Sequence, residues 1–469
     1  MLVTLVILFV FGYMAIALEH PIKVDKTASA LLLGMLMWVV YALNADKIVP
    51  IVSGEELSEY IESAKLGGES LAHQCLQYVL NVEIIEHLGD ITQTLFFLIG
   101  AMTIVELVDV HGGFSVITNK ITTRKKRRLL CIICFVTFIL SAVLDNLTTT
   151  IVMVMLLRKL ISDQKERWLY AGMVVIAANT GGAWSPIGDV TTIMLWVKGN
   201  VTSGALISFV LLPSIVAVLL PLAIVSAKLK GTMNDDITSA IPNDGNVTPG
   251  ERKLIFYLGV GGLLFVPVFK SITHLPPFVG ILLVLGALWV FTEIFYNRKG
   301  LSKDQEHRLP SIISRIDMSS ILFFLGILMA VAVLQATGIL ATAAEWLDAK
   351  VHNVYIINIL LGILSSIVDN VPLVAAAMGM YPVEAVGATG YAANFVVDGT
   401  FWEFLSYCAG VGGSMLIIGS AAGVIAMGLE KISFGWYLKR FSLLALVGYL
   451  AGAAVYILEA EFLKPMLGL

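Results

Sequence analysis

The sequence is poor in charge: only 14% of its 469 residues are Asp, Glu, Lys or Arg, where about 25% is usual in soluble proteins. A chain with so few charges is neither disordered nor fibrous, and it lacks the basic surface of a nucleic-acid binder. Apolar residues make up 58% of the chain, and the mean hydropathy is +0.88. This composition argues against a large soluble enzyme and predicts an all-α polytopic membrane protein.

Cysteine is also scarce. The four cysteines give no disulfide framework; Cys131 and Cys134 have the spacing of a redox or zinc pair but lie in an apolar run without a second pair. We interpret them as small apolar residues on one helix face. The first apolar run lacks a basic leading segment and a small-residue cleavage site, so we expect residues 1–27 to form a retained transmembrane helix and a loop.

Apolar runs long enough to cross about 30 Å of hydrocarbon recur along the chain. They fall at about 2–18, 28–43, 92–109, 169–195, 203–227, 254–269, 277–296, 319–337, 402–428 and 441–459. Two further apolar regions, 129–160 and 354–381, are longer than one helix needs, and each carries an Asp-Asn pair near its middle. These two regions need a separate interpretation.

The distribution of positive charge predicts the orientation, because cytoplasmic loops carry an excess of Lys and Arg. Most of the 30 Lys and Arg fall inside if both termini lie outside the cell inner membrane. Basic clusters then flank 129–160 on both sides, so we expect this region to be a re-entrant hairpin that enters from the inside. By the same logic 354–381 enters from the outside. The hairpins should turn at Asp145–Asn146 and Asp369–Asn370.

Three short motifs recur in the same order and at nearly constant spacing. The pairs are FFLIG (96–100) with FFLG (323–326), SAVLDN (141–146) with SSIVDN (365–370), and GGAWSPIG (181–188) with GGSMLIIG (412–419). Inverted repeats with interrupted helices are typical of secondary transporters whose site lies near the membrane centre. We expect a first inverted repeat at 28–229 with a broken helix at 169–195, a cytoplasmic linker at 230–252, and a second repeat at 253–469 with a broken helix at 402–428.

Three aspartates, Asp145, Asp189 and Asp369, fall near the expected membrane centre, where a charge costs roughly 2.5–3.5 kcal/mol. Carboxylate, amide and hydroxyl oxygens suit small hard cations, so these residues indicate a cation site. Desolvation disfavours the charged carboxylate, and a proton can then replace the metal ion. The alternative is that the aspartates only cap the helices that follow them.

Other polar residues near the membrane centre have two interpretations each. Asn146 and Asn370 can cap a helix and also ligate an ion. The hydroxyls can be ligands or can bond their own backbone; they belong to Thr148, Thr149, Thr191, Thr192, Ser365, Ser414 and Ser420. Glu106 is a candidate proton relay, or it snorkels to the inner interface.

The motifs SAVLDNLTTTIVM, ANTGGAWSPIGDVTTIMLW, SSIVDN and GGSMLIIGSAAG together resemble those of NhaD-type sodium/proton antiporters of the ion transporter superfamily. The resemblance covers nearly the whole chain and implies a scaffold domain, a moving transport domain and a homodimer. The ion-handling residues that it implies are Asp145, Asn146, Asn179, Asp189, Thr191, Thr192, Ser365, Asp369, Asn370 and Ser414, with Asp145, Asn146, Asp369 and Asn370 as ligands of Na⁺ or Li⁺.

We therefore expect a secondary antiporter that exchanges Na⁺ and Li⁺ for H⁺ by an elevator-type alternating-access mechanism. It would serve pH and sodium homeostasis without a cofactor or enzymatic activity. The first alternative is an anion or arsenite transporter of the same superfamily, but aspartates at both hairpin tips repel an anion. More distant alternatives are a channel and an intramembrane aspartyl protease, which needs two membrane aspartates but no inverted repeat.

Overall fold

The computed structural model describes residues 1–118, 120–121, 123–232, 248–298 and 308–467, and every regular element in these ranges is helical. Seven of the described helices are long and apolar enough to cross a membrane. An eighth span results if Lys26–Ala42 and Ala45–Val52, which are bent by 84° at their junction, count as one. The prediction of an all-α polytopic membrane protein is confirmed. Most of the predicted linker 230–252 lies outside the described residues.

The helices belong to two units, which are described separately. Unit 1 comprises residues 1–96, 317–353 and 374–382. Its complete helices are Leu2–Ala17, Glu19–Ile22, Lys26–Ala42, Ala45–Val52, Gly54–Ser63, Leu71–Tyr78, Met318–Ala336 and Ile339–Lys350. Close packing holds Lys26–Ala42 against Met318–Ala336, because Gly34 and Gly326 let the backbones approach and the Trp38 indole donates to the carbonyl of Met329 over 3.0 Å.

Unit 2 comprises residues 97–316, 354–373 and 383–469. Outside the interrupted elements described below, its α- and 3₁₀-helices are Ser115–Thr118, Ser203–Ala205, Leu211–Lys228, Pro249–Thr273, Pro277–Arg298, Leu309–Ile313, Gly390–Phe395, Phe434–Tyr437, Leu443–Leu458 and Lys464–Leu467. Its π-helical segments are Leu206–Val210, Leu438–Ser442 and Glu459–Leu463. Two helices, Ile84–Val110 and Asn370–Met380, contribute residues to both units.

One predicted span is shorter than the helix that contains it. The apolar run 92–109 is the last part of a helix of 40 residues that extends from Leu71 to Val110 through a π-helical turn at Val79–Glu83. The acidic residues before the apolar run do not end the helix, because helical hydrogen bonds join backbone groups and Glu is a good helix former. Hydropathy alone therefore placed the start of this helix too late.

Four elements of the described residues consist of two helices separated by a break. Hairpin 1 is Lys126–Leu144 with Asn146–Leu160, and broken helix 1 is Gln164–Gly182 with Val190–Lys198. Hairpin 2 is Val354–Leu364 with Asn370–Met380, and broken helix 2 is Thr400–Gly412 with Ala421–Glu430. The breaks fall at Asp145, 183–189, 365–369 and 413–420, respectively. The re-entrant path of the hairpins and the inverted orientation of the repeats stay predictions.

Each hairpin is bonded to its broken helix in the same way. The hydroxyl of Ser141 donates to the carbonyl of Ala178 over 2.5 Å, and the hydroxyl of Ser365 donates to the carbonyl of Ala409 over 3.0 Å. Both bonds join the residues that the two motif pairs place at equivalent positions. The internal repeat visible in the sequence is therefore accompanied by a repeated contact.

Glycines repeat a second contact. The α-carbon of Gly181 faces the backbone of Phe138, and that of Gly412 faces the backbone of Gly362. A β-carbon at either glycine would overlap a backbone carbonyl oxygen. Both broken helices therefore need glycine where they cross the first arm of their hairpin.

Candidate ion-binding site

The carboxylate of Asp189 lies in the break of broken helix 1 and is only 1% exposed. It caps Val190–Lys198: its Oδ1 accepts hydrogen bonds from the backbone nitrogen of Thr191 at 2.9 Å and from the Thr191 hydroxyl at 2.8 Å. The backbone nitrogen of Asp189 donates to the Thr192 hydroxyl oxygen over 3.2 Å, which completes a capping box. The helix therefore fixes the position of the carboxylate.

The tips of both hairpins reach this same carboxylate. The amide nitrogen of Asn146 donates to Asp189 Oδ2 over 2.5 Å and to the amide oxygen of Asn179 over 3.1 Å. The amide nitrogen of Asn370 lies 3.4 Å from both Asp189 oxygens. Asn146 and Asn370 are 4% and 5% exposed, so these bonds are shielded from water. One buried carboxylate thus joins hairpin 1, hairpin 2 and broken helix 1.

Asn179 extends the network to broken helix 2. Its amide nitrogen donates to the hydroxyl oxygens of Ser414 at 3.0 Å and Ser420 at 2.8 Å. Ser420 in turn caps Ala421–Glu430 by accepting a bond from the backbone nitrogen of Gly423 over 3.2 Å. Residues from all four interrupted elements therefore meet, and we call them the Asp189 cluster; its members are Asn146, Asn179, Asp189, Asn370, Ser414 and Ser420.

The two tip aspartates bond to their own hairpins. Asp145 has a φ of 78° and accepts bonds from the Thr148 nitrogen at 2.7 Å and the Thr148 hydroxyl at 3.0 Å. Asp369 accepts a bond from the nitrogen of Val371 over 3.2 Å. The capping role weighed from the sequence is present at both positions. Each of the two tip carboxylates also interacts electrostatically with the carboxylate of Asp189.

The remaining predicted residues have different surroundings. Ser365 braces hairpin 2 against broken helix 2 through the bond to Ala409 described above. The hydroxyls of Thr191 and Thr192 donate to the carboxylate and the backbone carbonyl of Asp189, respectively, so both threonines stabilise the Asp189 cap. Glu106 is half-buried in Ile84–Val110, and its electrostatic neighbours are Asp109 and Arg315. The structure therefore gives Glu106 a place outside the Asp189 cluster.

Two residues outside the set implied by the resemblance also belong to this region. Ser420 follows GGSMLIIG as Asp189 follows GGAWSPIG, so alignment of the two motifs pairs a serine with the central carboxylate. Thr149 is fully buried, and its hydroxyl has no hydrogen-bond partner within the described residues. Its oxygen is a candidate ligand one turn into the second arm of hairpin 1.

The chemistry of the cluster suits reversible binding of a small cation. The donors to Asp189 described above are hydroxyl, amide and backbone groups, all of them neutral. Asp189 interacts electrostatically with both Asp145 and Asp369; ionised carboxylates repel one another, and a bound cation or proton relieves the repulsion. Each asparagine amide carries both an oxygen and an NH₂ group, so a half-turn of the amide replaces a donor to the carboxylate with an oxygen ligand for a cation.

Interrupted helices that converge on one buried carboxylate are typical of helical membrane transporters. The pattern of the citrate transporter family, CitMHS, matches residues 7–397. The chain is 43% identical to sodium/proton antiporters 1 and 2 of Arabidopsis thaliana over 97% of its own length, which covers 72% and 99% of those proteins. It is 27% identical to the Na⁺/H⁺ antiporter NhaD of Vibrio cholerae, over 96% of this chain and 90% of that protein.

The chain therefore belongs to the CitMHS family, as an antiporter of the NhaD type. It is a transporter rather than an enzyme, and the ions are its substrates.

Proposed function

We propose that the protein exchanges Na⁺ for H⁺ across a membrane and that Asp189 is the group that binds either ion. The observation that carries the proposal is the meeting of both hairpin-tip amides at this one buried carboxylate. The names of the relatives support the same pair of ions, since the Arabidopsis and Vibrio proteins are sodium/proton antiporters.

Exchange follows from competition for the carboxylate. A proton on Asp189 removes the negative charge that attracts Na⁺, and a bound Na⁺ raises the cost of adding a proton. Each occupant neutralises the buried charge, so the loaded site can cross the low-dielectric region, while the empty ionised site pays a desolvation cost. Transport of one ion in each direction is then favoured over leakage. The site also suits Li⁺, which prefers the same hard oxygen ligands.

An anionic substrate fits this site less well. The family pattern carries the name of citrate, but a citrate at the cluster would face the carboxylate of Asp189 and the neighbouring Asp145 and Asp369. Like charges in a desolvated site cost several kcal/mol, on the order of the values for a buried unpaired ion. The three aspartates therefore favour the cation.

The transport movement that we propose is of the elevator type, with hairpin 1, the part of hairpin 2 in unit 2 (354–373) and both broken helices moving as one body. Bonds at the crossing of the broken helices support this, because the hydroxyl of Ser406 donates to the carbonyl of Ala183 over 2.8 Å and Asn179 bonds to Ser414 and Ser420. Elements joined through buried polar bonds resist separation, since each broken bond leaves an unsatisfied group.

The proposed setting is the cell inner membrane, with both termini outside and the protein as a homodimer. Basic residues before and after hairpin 1 support this orientation. The homodimer follows from the resemblance to the family.

Inverted membrane vesicles test the function. Vesicles are energised to acidify their interior, and the pH gradient is followed with a fluorescent dye while Na⁺, Li⁺, K⁺, citrate or arsenite is added. We expect Na⁺ and Li⁺ to collapse the gradient in vesicles that contain the protein and to have no effect in vesicles without it. Collapse by citrate or arsenite alone would contradict the proposal.

A further inference from the structure

A buried carboxylate at the end of broken helix 2 joins this helix to two elements of the first repeat. Glu430 Oε1 accepts a bond from Arg158 Nε at 2.7 Å, and Oε2 accepts a bond from Arg167 Nε at 2.9 Å. The Glu430 side chain is fully buried. Arg158 lies near the end of hairpin 1, and Arg167 lies in the first turn of broken helix 1. We call these three residues the arginine clamp.

We propose that Glu430 is a positioning residue: through the arginine clamp it holds broken helix 2 in register with hairpin 1 and broken helix 1, and so sets the Na⁺ affinity of the distant Asp189 cluster. The identity of the bound ion, Na⁺, rests on the proposed function, whereas the contacts of the clamp are observed in the structure. A carboxylate shared by two guanidinium groups makes charge-assisted bonds, which are the strongest of the ordinary hydrogen bonds.

Backbone contacts reinforce the clamp. The carbonyl of Glu430 accepts bonds from Gln164 Nε2 at 3.1 Å and Trp168 Nε1 at 2.9 Å, and Arg158 also donates to the carbonyl of Leu429. The last carbonyls of a helix have no partners inside it. Here side chains of the first repeat supply those partners, so the end of Ala421–Glu430 is bonded through its backbone as well as its carboxylate.

A corresponding contact joins the other two ends of the broken helices. Asp398, just before Thr400–Gly412, accepts bonds from the Thr202 nitrogen at 2.5 Å and hydroxyl at 2.9 Å. The nitrogen of Asp398 donates to the carbonyl of Asn200 over 3.0 Å, just beyond Val190–Lys198. The start of each broken helix is therefore bonded to the end of the other. Of these two contacts, the one at Glu430 contains a carboxylate between two arginines, and the one at Asp398 does not.

The clamp reaches the ion site along a single helix. Ser420 caps the start of Ala421–Glu430, and Glu430 is its last residue. Ten residues of helix span about 15 Å. Ser420 accepts the bond from Asn179, which in turn accepts the bond from Asn146. If the clamp opens, the helix is free to shift and to carry Ser420 with it, so the bonds that lead from Ser420 through Asn179 and Asn146 to Asp189 lose their alignment.

The first test removes the charge of the clamp and keeps its shape. Glu430→Gln should raise the apparent KM for Na⁺ by at least about twofold, the low end of the coupling between residues of one bonded network, with a smaller change in maximal rate. The control is Lys165→Gln, which removes an exposed positive charge in the same helical turn as Arg167 and should leave the KM for Na⁺ unchanged. Arg167→Gln combined with Glu430→Gln should be no worse than the more affected single variant. A lower melting temperature with unchanged KM would show a merely structural role and overturn the proposal.

The second test replaces the clamp with a covalent link. Arg158→Cys and Glu430→Cys are introduced after Cys75, Cys131, Cys134 and Cys408 have been replaced by serine. The unlinked protein should show the raised KM for Na⁺. Cross-linking with a short bismaleimide should return the KM to the parental value, because the clamped ends stay together throughout transport. Loss of transport on cross-linking would mean that these ends separate, which would overturn the proposal.

A third measurement needs no transported ion, so it separates failure of the clamp from failure of the proposed function. Amide hydrogen exchange in Ala421–Glu430 should be faster in Glu430→Gln than in the parent protein and unchanged in Lys165→Gln. Equal exchange in all three proteins would contradict the clamp, whatever ion the protein carries.

Discussion

The amide nitrogen of Asn146 lies 2.5 Å from Asp189 Oδ2, whereas the amide nitrogen of Asn370 lies 3.4 Å from both oxygens of the same carboxylate. The two hairpin tips occupy equivalent positions in the internal repeat, but they do not hold the central carboxylate equally. The reason is that the carboxylate belongs to one repeat only, since Ser420 occupies the position that Asp189 has in the other. The two repeats should therefore contribute unequally to ion binding.

The first prediction concerns the central carboxylate. Asp189→Asn should abolish Na⁺-dependent collapse of the pH gradient, because an amide neither carries the charge that binds Na⁺ nor accepts a proton near neutral pH. Asn still caps the helix through its amide oxygen, but its NH₂ group cannot accept the Asn146 bond, so the free energy of unfolding should fall by no more than about 1–3 kcal/mol and the protein should still fold. Antiport is measured in inverted vesicles, and folding by thermal unfolding in detergent.

The control for this variant is Asp163→Asn. Asp163 caps Gln164–Gly182 by accepting a bond from the nitrogen of Glu166 at 2.7 Å, but it is exposed. The same chemical change at a cap outside the cluster should leave antiport near the parent level. Near-normal antiport in Asp189→Asn would show that this carboxylate only caps its helix.

The second prediction follows from the unequal hairpin tips. Asn146→Ala removes the donor to both Asp189 and Asn179, and loss of a buried partner costs about 1–3 kcal/mol. We expect the apparent KM for Na⁺ to rise about tenfold or more. Asn370→Ala, which removes only the 3.4 Å contacts, should raise it less. A larger effect at Asn370 would contradict the order that these distances predict.

The third prediction concerns pH. If Na⁺ and H⁺ compete for Asp189, the apparent KM for Na⁺ should rise as the pH falls below the titration midpoint of the site, approaching tenfold per pH unit for one shared group. The maximal rate at saturating Na⁺ should change much less in this range. A KM that stays constant over the same pH range, measured in proteoliposomes, would place the proton on another group, with Glu106 the next candidate.

Much of the fold could be predicted because its causes are local. The breaks at Asp145 and at 183–189 are marked by residues that cap helices or disfavour their interior, and the apolar runs are long enough to reveal the helices around them. The helical spacing of the acidic segment 44–90 predicts interfacial helices, but the continuity of the helix Leu71–Val110 was hidden, because hydropathy detects apolarity rather than hydrogen bonding.

The site could be predicted as a set of residue types but not as a network. Asp145 and Asp189 are both aspartates in the break between two helices. Asp145 nevertheless bonds to its own hairpin, whereas Asp189 belongs to a network that joins four elements. That difference depends on contacts between distant parts of the chain. The arginine clamp could not be predicted from the sequence for the same reason. Glu430 is a charged residue at a helix end, and only the fold brings Arg158 and Arg167 beside it.

The fourth prediction tests the close crossing of broken helix 1 and hairpin 1. A β-carbon at Gly181 would overlap the backbone of Phe138, which cannot move aside as a side chain can. Gly181→Ala should therefore destabilise the protein by about 1–3 kcal/mol and lower its melting temperature. Gly261→Ala is the control, because that helical glycine has no atom within 4 Å of its added β-carbon and alanine favours a helix by about 0.5–1 kcal/mol. Equal melting temperatures for Gly181→Ala and the parent protein would contradict the close packing.

The last prediction concerns the path of hairpin 1. Its second arm, Asn146–Leu160, has 15 residues, or about 22 Å of helix, which is shorter than the roughly 30 Å of hydrocarbon. The first arm, Lys126–Leu144, is itself long enough to cross, so the expectation rests on the short second arm and on the basic residues at both ends of the hairpin. We therefore expect both ends of the hairpin on the cytoplasmic side. In a background without native cysteines, Lys125→Cys and Asp163→Cys should react with a membrane-impermeant maleimide only in inverted vesicles. Lys350→Cys, at an exposed position before hairpin 2, should react only in right-side-out vesicles. Labelling of positions 125 and 163 from opposite sides would show a full crossing, and the inverted-repeat topology would then have to be rejected.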